Sequence, residues 1–99
     1  FMAEYPLVLL PPSGELPFAD NLDLKSPEDY RRVWQAQLSM IGLPIAALPA
    51  LTLCTGLTED GLPLGIQIVA AKYREDVALA AAEQIEARLQ PVPIANPQP

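Results

Sequence analysis

The sequence predicts an α/β fold with about four strands and two main helices, on three observations. Tyr5–Leu10 forms a short, unbroken apolar run. Gly42–Val69 holds two β-prone runs separated by the polar turn Thr58-Glu59-Asp60-Gly61, each run opened by the tripeptide Gly-Leu-Pro. On either side of that stretch, apolar residues recur at helical spacing, over 26–42 and 75–89.

Tyr5–Leu10 shows no alternation, so it fits a strand covered on both faces, the usual situation in a parallel sheet. Residues 11–25 (PPSGELPFADNLDLK) follow as a long loop rich in turn-forming residues. Phe18, Leu22 and Leu24 need cover, which implies an ordered loop packed on something. Ser26 then opens a helix as its N-cap, with Pro27 at the first helical position and Glu28 and Asp29 at the positive end of the dipole. Tyr30, Val33, Trp34, Gln37, Leu38 and Ile41 make one stripe, apolar except for Gln37. Gly42 is expected to end the helix in a left-handed cap conformation.

A short strand at 45–48 and a longer one at 51–57 come next, parted by Pro49-Ala50 because an interior proline breaks a ladder. Residues 58–61 read as a hairpin turn, with the return strand at 63–70. Leu64, Ile66 and Ile68 share one face of that strand, Gly65, Gln67 and Val69 the other. Glycine and glutamine together mark a close approach to the backbone, by another element or by a bound substrate. Residues 75–89 form the second helix, with Ala78, Ala81, Ala82, Ile85 and Leu89 as a narrow stripe that lets it lie close to a sheet. The proline-rich tail 91–99 is expected to wrap the surface.

The totals bound the function. Ninety-nine residues allow one domain at most, and 51% apolar residues exclude a disordered chain. Eleven of the twelve prolines cluster at 6–17, 44–63 and 91–99, where they interrupt regular structure. A net charge of −6 argues against nucleic-acid binding. No run of eighteen apolar residues is present, so no membrane span is expected, and no signal peptide is visible. With Cys54 as the single cysteine, the expected setting is cytoplasmic. The start at Phe1 suggests missing upstream sequence.

Histidine is absent, which removes Ser-His-Asp and Cys-His nucleophile systems and the commonest metal sites. No phosphate-cradling glycine spacing occurs. Glu28-Asp29 and Glu75-Asp76 suit the first turns of helices, and Glu59-Asp60 suits a turn. Ser26 is explained as a cap, Ser39 as a last-turn residue and Cys54 as a small hydrophobe within a strand. Ser13 lies in a Pro-Ser-Gly loop after a strand, where functional groups sit in open α/β sheets, but no lysine is placed beside it to activate it. Gln67 reads either as a buried amide bonded to neighbouring backbone or as a substrate contact. Ser13 and Gln67 are therefore the candidate substrate-binding residues. No catalytic residue, metal ligand or cofactor is assigned.

The stretch Gly42-Leu-Pro44, with a second proline at Pro49, then Asp60-Gly-Leu-Pro-Leu-Gly-Ile-Gln-Ile-Val69, resembles the C-terminal end of amidase signature family enzymes. Tyr5–Phe18 is similar to that family's late strand and proline-rich loop, and Tyr73–Glu83 to its last helix. Ala50, Ala70 and Ala71 stand where the family often has glycine. The resemblance implies that residues 1–99 are the C-terminal portion of an amide hydrolase, a fragment of the amidase-type mixed sheet. It implies a serine nucleophile, an acyl-enzyme and a small amide substrate in the parent enzyme. The catalytic serines and lysine belong to upstream segments that nothing here matches, so the chain alone is expected to be inactive. Relatives include transamidating enzymes, which leaves the parent's reaction open between hydrolysis and transamidation. An independent α/β binding or assembly module is the alternative. Exposed strand edges and apolar faces in a severed piece lead to an expectation of self-association.

Overall fold

The computed structural model describes residues 1–94. Its described elements are strands β1 (Leu7–Leu10), β2 (Ala50–Leu57) and β3 (Pro63–Ala70), and helices α1 (Pro27–Ala36), α2 (Leu38–Ile45) and α3 (Glu75–Glu86). A single 3₁₀ turn, Leu22–Leu24, lies in the long loop. The fold is α/β, with one sheet in the order β1-β3-β2.

Both strand pairs are antiparallel. This corrects the expectation of a β1 sandwiched in a parallel sheet: β1 is an edge strand, and Leu9 is 57% exposed. An unbroken apolar run reports that both faces want cover, not which direction the neighbouring strand runs. The β2–β3 hairpin forms where expected. The Thr58 amide donates to the Leu62 carbonyl at 2.8 Å, and Gly61 supplies the left-handed residue with φ 81°. A bulge between Cys54 and Gly56 leaves Thr55 without an opposite residue.

Ser26 caps α1 as expected, its hydroxyl oxygen accepting from the Asp29 amide at 3.1 Å. The helix does not run on to Gly42, however. Gly14 of the loop donates its amide to the Ala36 carbonyl at 2.7 Å, and the Met40 amide turns to Gln37 instead. Gln37 sits at φ −99°, ψ 5°, and separates α1 from α2.

Gly42 is interior to α2 and does not stop it. The chain leaves the helix through Ala47, left-handed at φ 53°. Its amide donates to Pro44, and the Leu48 amide donates to Leu43 across the turn. This is the six-to-one and five-to-two pairing of a Schellman cap. The expected strand at 45–48 is therefore absent, and the described residues contain three strands and three helices rather than about four and two. Pro44 is tolerated because it lies in the last turn of α2, where a lost amide leaves one carbonyl open and the ladder ends in any case.

The core lies between the sheet and α3. Ile68, Ala70 and Ala78 are buried, packed against Leu7, Leu51, Ile66, Ala81, Ala82 and Ile85. Alanines on α3 bring its backbone close to β3, as their spacing predicts. Regular α3 ends at Glu86, three residues early, and Arg88 turns back onto the Gln84 carbonyl. The α1 stripe is not core here. Tyr30, Trp34 and Leu38 remain exposed, and the first two rings tilt together 5.9 Å apart. The expected course of the tail beyond residue 94 lies outside the described residues.

Candidate functional site

The proline-rich loop after β1 is ordered, as its apolar residues require. Its anchors run to α1 and α2. Gly14 holds Ala36, Glu15 holds Arg32, and the Ser39 hydroxyl donates to the Pro11 carbonyl at 3.0 Å. Arg32 reaches both Glu15 oxygens, with Nη2 2.6 Å from Oε2 and Nε 3.1 Å from Oε1. The pair is exposed, and the hydrogen bond from Arg32 holds the Glu15 carboxyl below its ordinary value of 4.5.

These ties hold open a cleft of about 480 Å³ between loop residues 11–18, Gln37 and residues 63–65 at the start of β3. Ser13 lies on its wall. The Ser13 hydroxyl oxygen accepts from the Glu15 amide at 3.2 Å, and its proton has no acceptor among the described residues. A ligand carbonyl could take that proton. Activation as a nucleophile is another matter, because neither of the chain's two lysines, Lys25 and Lys72, lines the cleft.

Gln67 is held in the middle of β3, opposite Leu10 of β1 and Thr52 of β2. It shares a sheet face with Gly65, which lines the cleft. Only 7% of Gln67 is exposed, and its buried side-chain oxygen has no hydrogen-bond partner among the described residues. The neighbouring-backbone reading of this amide is thus not met for that oxygen. Gly65 has a purely structural cause: a Cβ there would stand 2.9 Å from the Leu53 carbonyl of β2. What approaches that backbone is the adjacent strand.

The loop anchors and Gln37 are site residues that sequence reasoning missed. The signal for Gln37 was visible, since it is the one polar residue in the α1–α2 stripe. The Glu15–Arg32 pair spans 17 positions and carried no local signal. Ser26 serves its cap. Cys54, read as a small hydrophobe within a strand, lies in β2 and is exposed there. The described residues contain no group of three or more metal-ligating side chains, and no helix long and apolar enough to cross a membrane.

No protein-family model matches the chain. Individual relatives do. It is 35% identical over 94 residues to an indoleacetamide hydrolase of Bradyrhizobium japonicum, covering 89% of this chain and 19% of that protein. It is 37% identical over 81 residues to a 6-aminohexanoate-cyclic-dimer hydrolase of Paenarthrobacter ureafaciens, covering 80% and 16%. A glutamyl-tRNA(Gln) amidotransferase chain of Streptococcus equi subsp. zooepidemicus is 36% identical over 85 residues, covering 86% and 17%. Among solved structures, 6-aminohexanoate cyclic dimer hydrolase superimposes with a TM-score of 0.64 at 33% identity, over 85% of this chain and 19% of that one. The same hydrolase complexed with substrate matches equally well. These relatives are amidase signature enzymes, and the chain belongs with them as the counterpart of less than a fifth of their length.

Proposed function

We propose that residues 1–99 form the C-terminal portion of an amide hydrolase whose nucleophilic serine lies upstream. In this reading the chain supplies three strands, covering helices and one wall of the substrate pocket, and no catalytic group. The observation that carries it is the joint match in sequence and fold to 6-aminohexanoate cyclic dimer hydrolase, 33% identical at a TM-score of 0.64. The cleft between the loop and β3 is the pocket wall. There the Ser13 hydroxyl donates to a carbonyl of a small amide; Gln67 does not line the cleft, and its buried oxygen accepts from the substrate N–H only when the side chain turns out from β3. A single cysteine and the absence of a membrane-crossing helix among the described residues support a cytoplasmic setting. The apolar surface left bare on α1, α2 and β1 supports self-association of the free chain.

Transamidation is the second reading, favoured by the 36% identity to a glutamyl-tRNA(Gln) amidotransferase chain. The test is a chimaera in which this chain replaces the matching segment of 6-aminohexanoate-cyclic-dimer hydrolase. Hydrolysis of the cyclic dimer by the chimaera, with none by the isolated chain, is the expected result. Amide hydrolysis by the isolated chain that disappears in Ser13→Ala would overturn the proposal.

A further inference from the structure

We infer that Arg32 is a positioning residue for Ser13: acting through Glu15, it holds the Ser13 hydroxyl at the pocket wall, where a substrate carbonyl is met. The inference rests on the proposed reading of the cleft and names what sets its substrate affinity. Its basis is contact between residues of this chain, which stands whatever else covers the fold.

The loop docks along the helices in antiparallel order. Pro11 meets Ser39, Gly14 meets Ala36 and Glu15 meets Arg32, so the loop advances as the helical residues step back. Arg32 and Ala36 lie four positions apart, on one face of α1. The Gly14 amide and the Glu15 carboxylate are therefore fixed one helical turn apart. Ser13 comes immediately before these two ties, and its hydroxyl oxygen accepts from the Glu15 amide at 3.2 Å. The backbone of Glu15 thus orients the hydroxyl, and the side chain of Glu15 is what Arg32 grips.

The form of that grip speaks for geometry. Exposed ion pairs add little to global stability, and both members of this one are exposed. Yet Arg32 engages both Glu15 oxygens, with Nη2 2.6 Å and Nε 3.0 Å from Oε2 and Nε 3.1 Å from Oε1. A planar fork fixes the direction of a carboxylate as well as its distance, which the point charge of a lysine does not. The other two ion pairs among the described residues, Arg31–Glu28 and Arg74–Asp76, are local. Arg32–Glu15 is the one that joins distant segments, and it does so two residues from the serine of the cleft.

The chimaera with 6-aminohexanoate-cyclic-dimer hydrolase reads the assignment through a double-mutant cycle on the cyclic dimer. Ser13→Ala and Arg32→Ala should each raise KM about three- to tenfold, the worth of one hydrogen bond, with kcat held. The double variant should be no worse than either single one, because Arg32 acts only through Ser13. KM increases that multiply in the double variant, or a fall in kcat in Arg32→Ala, overturn the assignment. An unchanged KM in Arg32→Ala beside a raised one in Ser13→Ala overturns it too, and leaves the pocket reading standing. An unchanged KM in Ser13→Ala overturns both. Hydrogen exchange of the 99-residue chain tests the relay without turnover. Arg32→Ala should speed exchange of the Gly14 and Glu15 amides at least about tenfold, with the amides of β3 and α3 unchanged. Equal rates at Gly14 and Glu15 in the variant and the unaltered chain overturn the assignment.

Discussion

Arg32 of α1 and Glu15 of the cleft loop meet through a fork, with Nη2 and Nε both within 3.0 Å of Oε2 and Nε also 3.1 Å from Oε1. The pair joins the loop to the helix across 17 positions of sequence, so its energy depends on the loop being docked. Glu15 is held below 4.5 in the folded state by Arg32. A depressed carboxylate pKa contributes stability above the unfolded value that is lost as pH falls through the folded value. The melting temperature of the chain should therefore exceed that of Glu15→Gln at neutral pH, and the gap should close below pH 4.5. Because both side chains are exposed, 1 M salt should shrink the gap at neutral pH as well. Thermal melts of both proteins between pH 3 and 8 read both effects.

The Ser26 cap makes a second prediction. Its hydroxyl oxygen accepts from the Asp29 amide, and its proton goes to the Asp29 carboxylate at 2.9 Å. Ser26→Ala loses both bonds and should cost about 1 kcal/mol of stability in urea titration, while Ser26→Asp should recover most of it. Equal stability of Ser26→Ala and the unaltered chain would mean that α1 starts without help from its cap.

Local chemistry was readable here and tertiary competition was not. The Ser26 cap, the Gly61 turn and the alanine stripe of α3 are each decided by residues within one or two turns of one another, and all are present. The break at Gln37 is decided by Gly14, more than twenty positions upstream, whose amide takes the Ala36 carbonyl that Met40 would otherwise use. No periodicity in residues 26–42 encodes that theft. Gly42 failed as a stop because a glycine in a helix costs only about 1 kcal/mol, which a tie such as Ser39 to Pro11 offsets. The strand expected at 45–48 went the same way, its residues taken up by the end of α2 and the turn through Ala47. At the site, Ser13 was legible from its loop setting and does line the cleft. The loop's anchors were not, because ion pairs between distant segments leave no pattern in a single chain.

A third prediction concerns Gly65. A methyl group there would sit 2.9 Å from the Leu53 carbonyl and 3.5 Å from the Thr52 methyl, so the strand pair must spread. The obstacle is backbone and cannot rotate away. Gly65→Ala should destabilise the chain by about 1–3 kcal/mol, the range for overpacking. Gly56→Ala on the opposite strand meets nothing within 4 Å and should stay within about 0.5 kcal/mol, as substitutions away from special features do. The contrast between the two, measured in the same urea titration, separates steric conflict from any general intolerance of side chains in the hairpin.

Gln67 separates stability from function. Its buried oxygen makes no hydrogen bond among the described residues, and a buried acceptor left unpaired costs about 1–3 kcal/mol of desolvation. Methionine is close to it in length and flexibility and carries no such penalty. In the isolated chain, Gln67→Met should therefore raise the urea midpoint, against the usual sign for a substitution at a buried position. In the chimaera with 6-aminohexanoate-cyclic-dimer hydrolase the same change should lower affinity for the cyclic dimer, seen as a higher KM, because the acceptor for the substrate N–H is gone. Gln67→Glu restores an acceptor but buries a charge, and should destabilise the isolated chain. If Gln67→Met instead destabilises the isolated chain, the amide already has a partner within it, and its role as a substrate contact falls. Stabilisation without any change in KM would mean that the orphaned oxygen meets neighbouring polypeptide in the whole enzyme rather than the amide being hydrolysed.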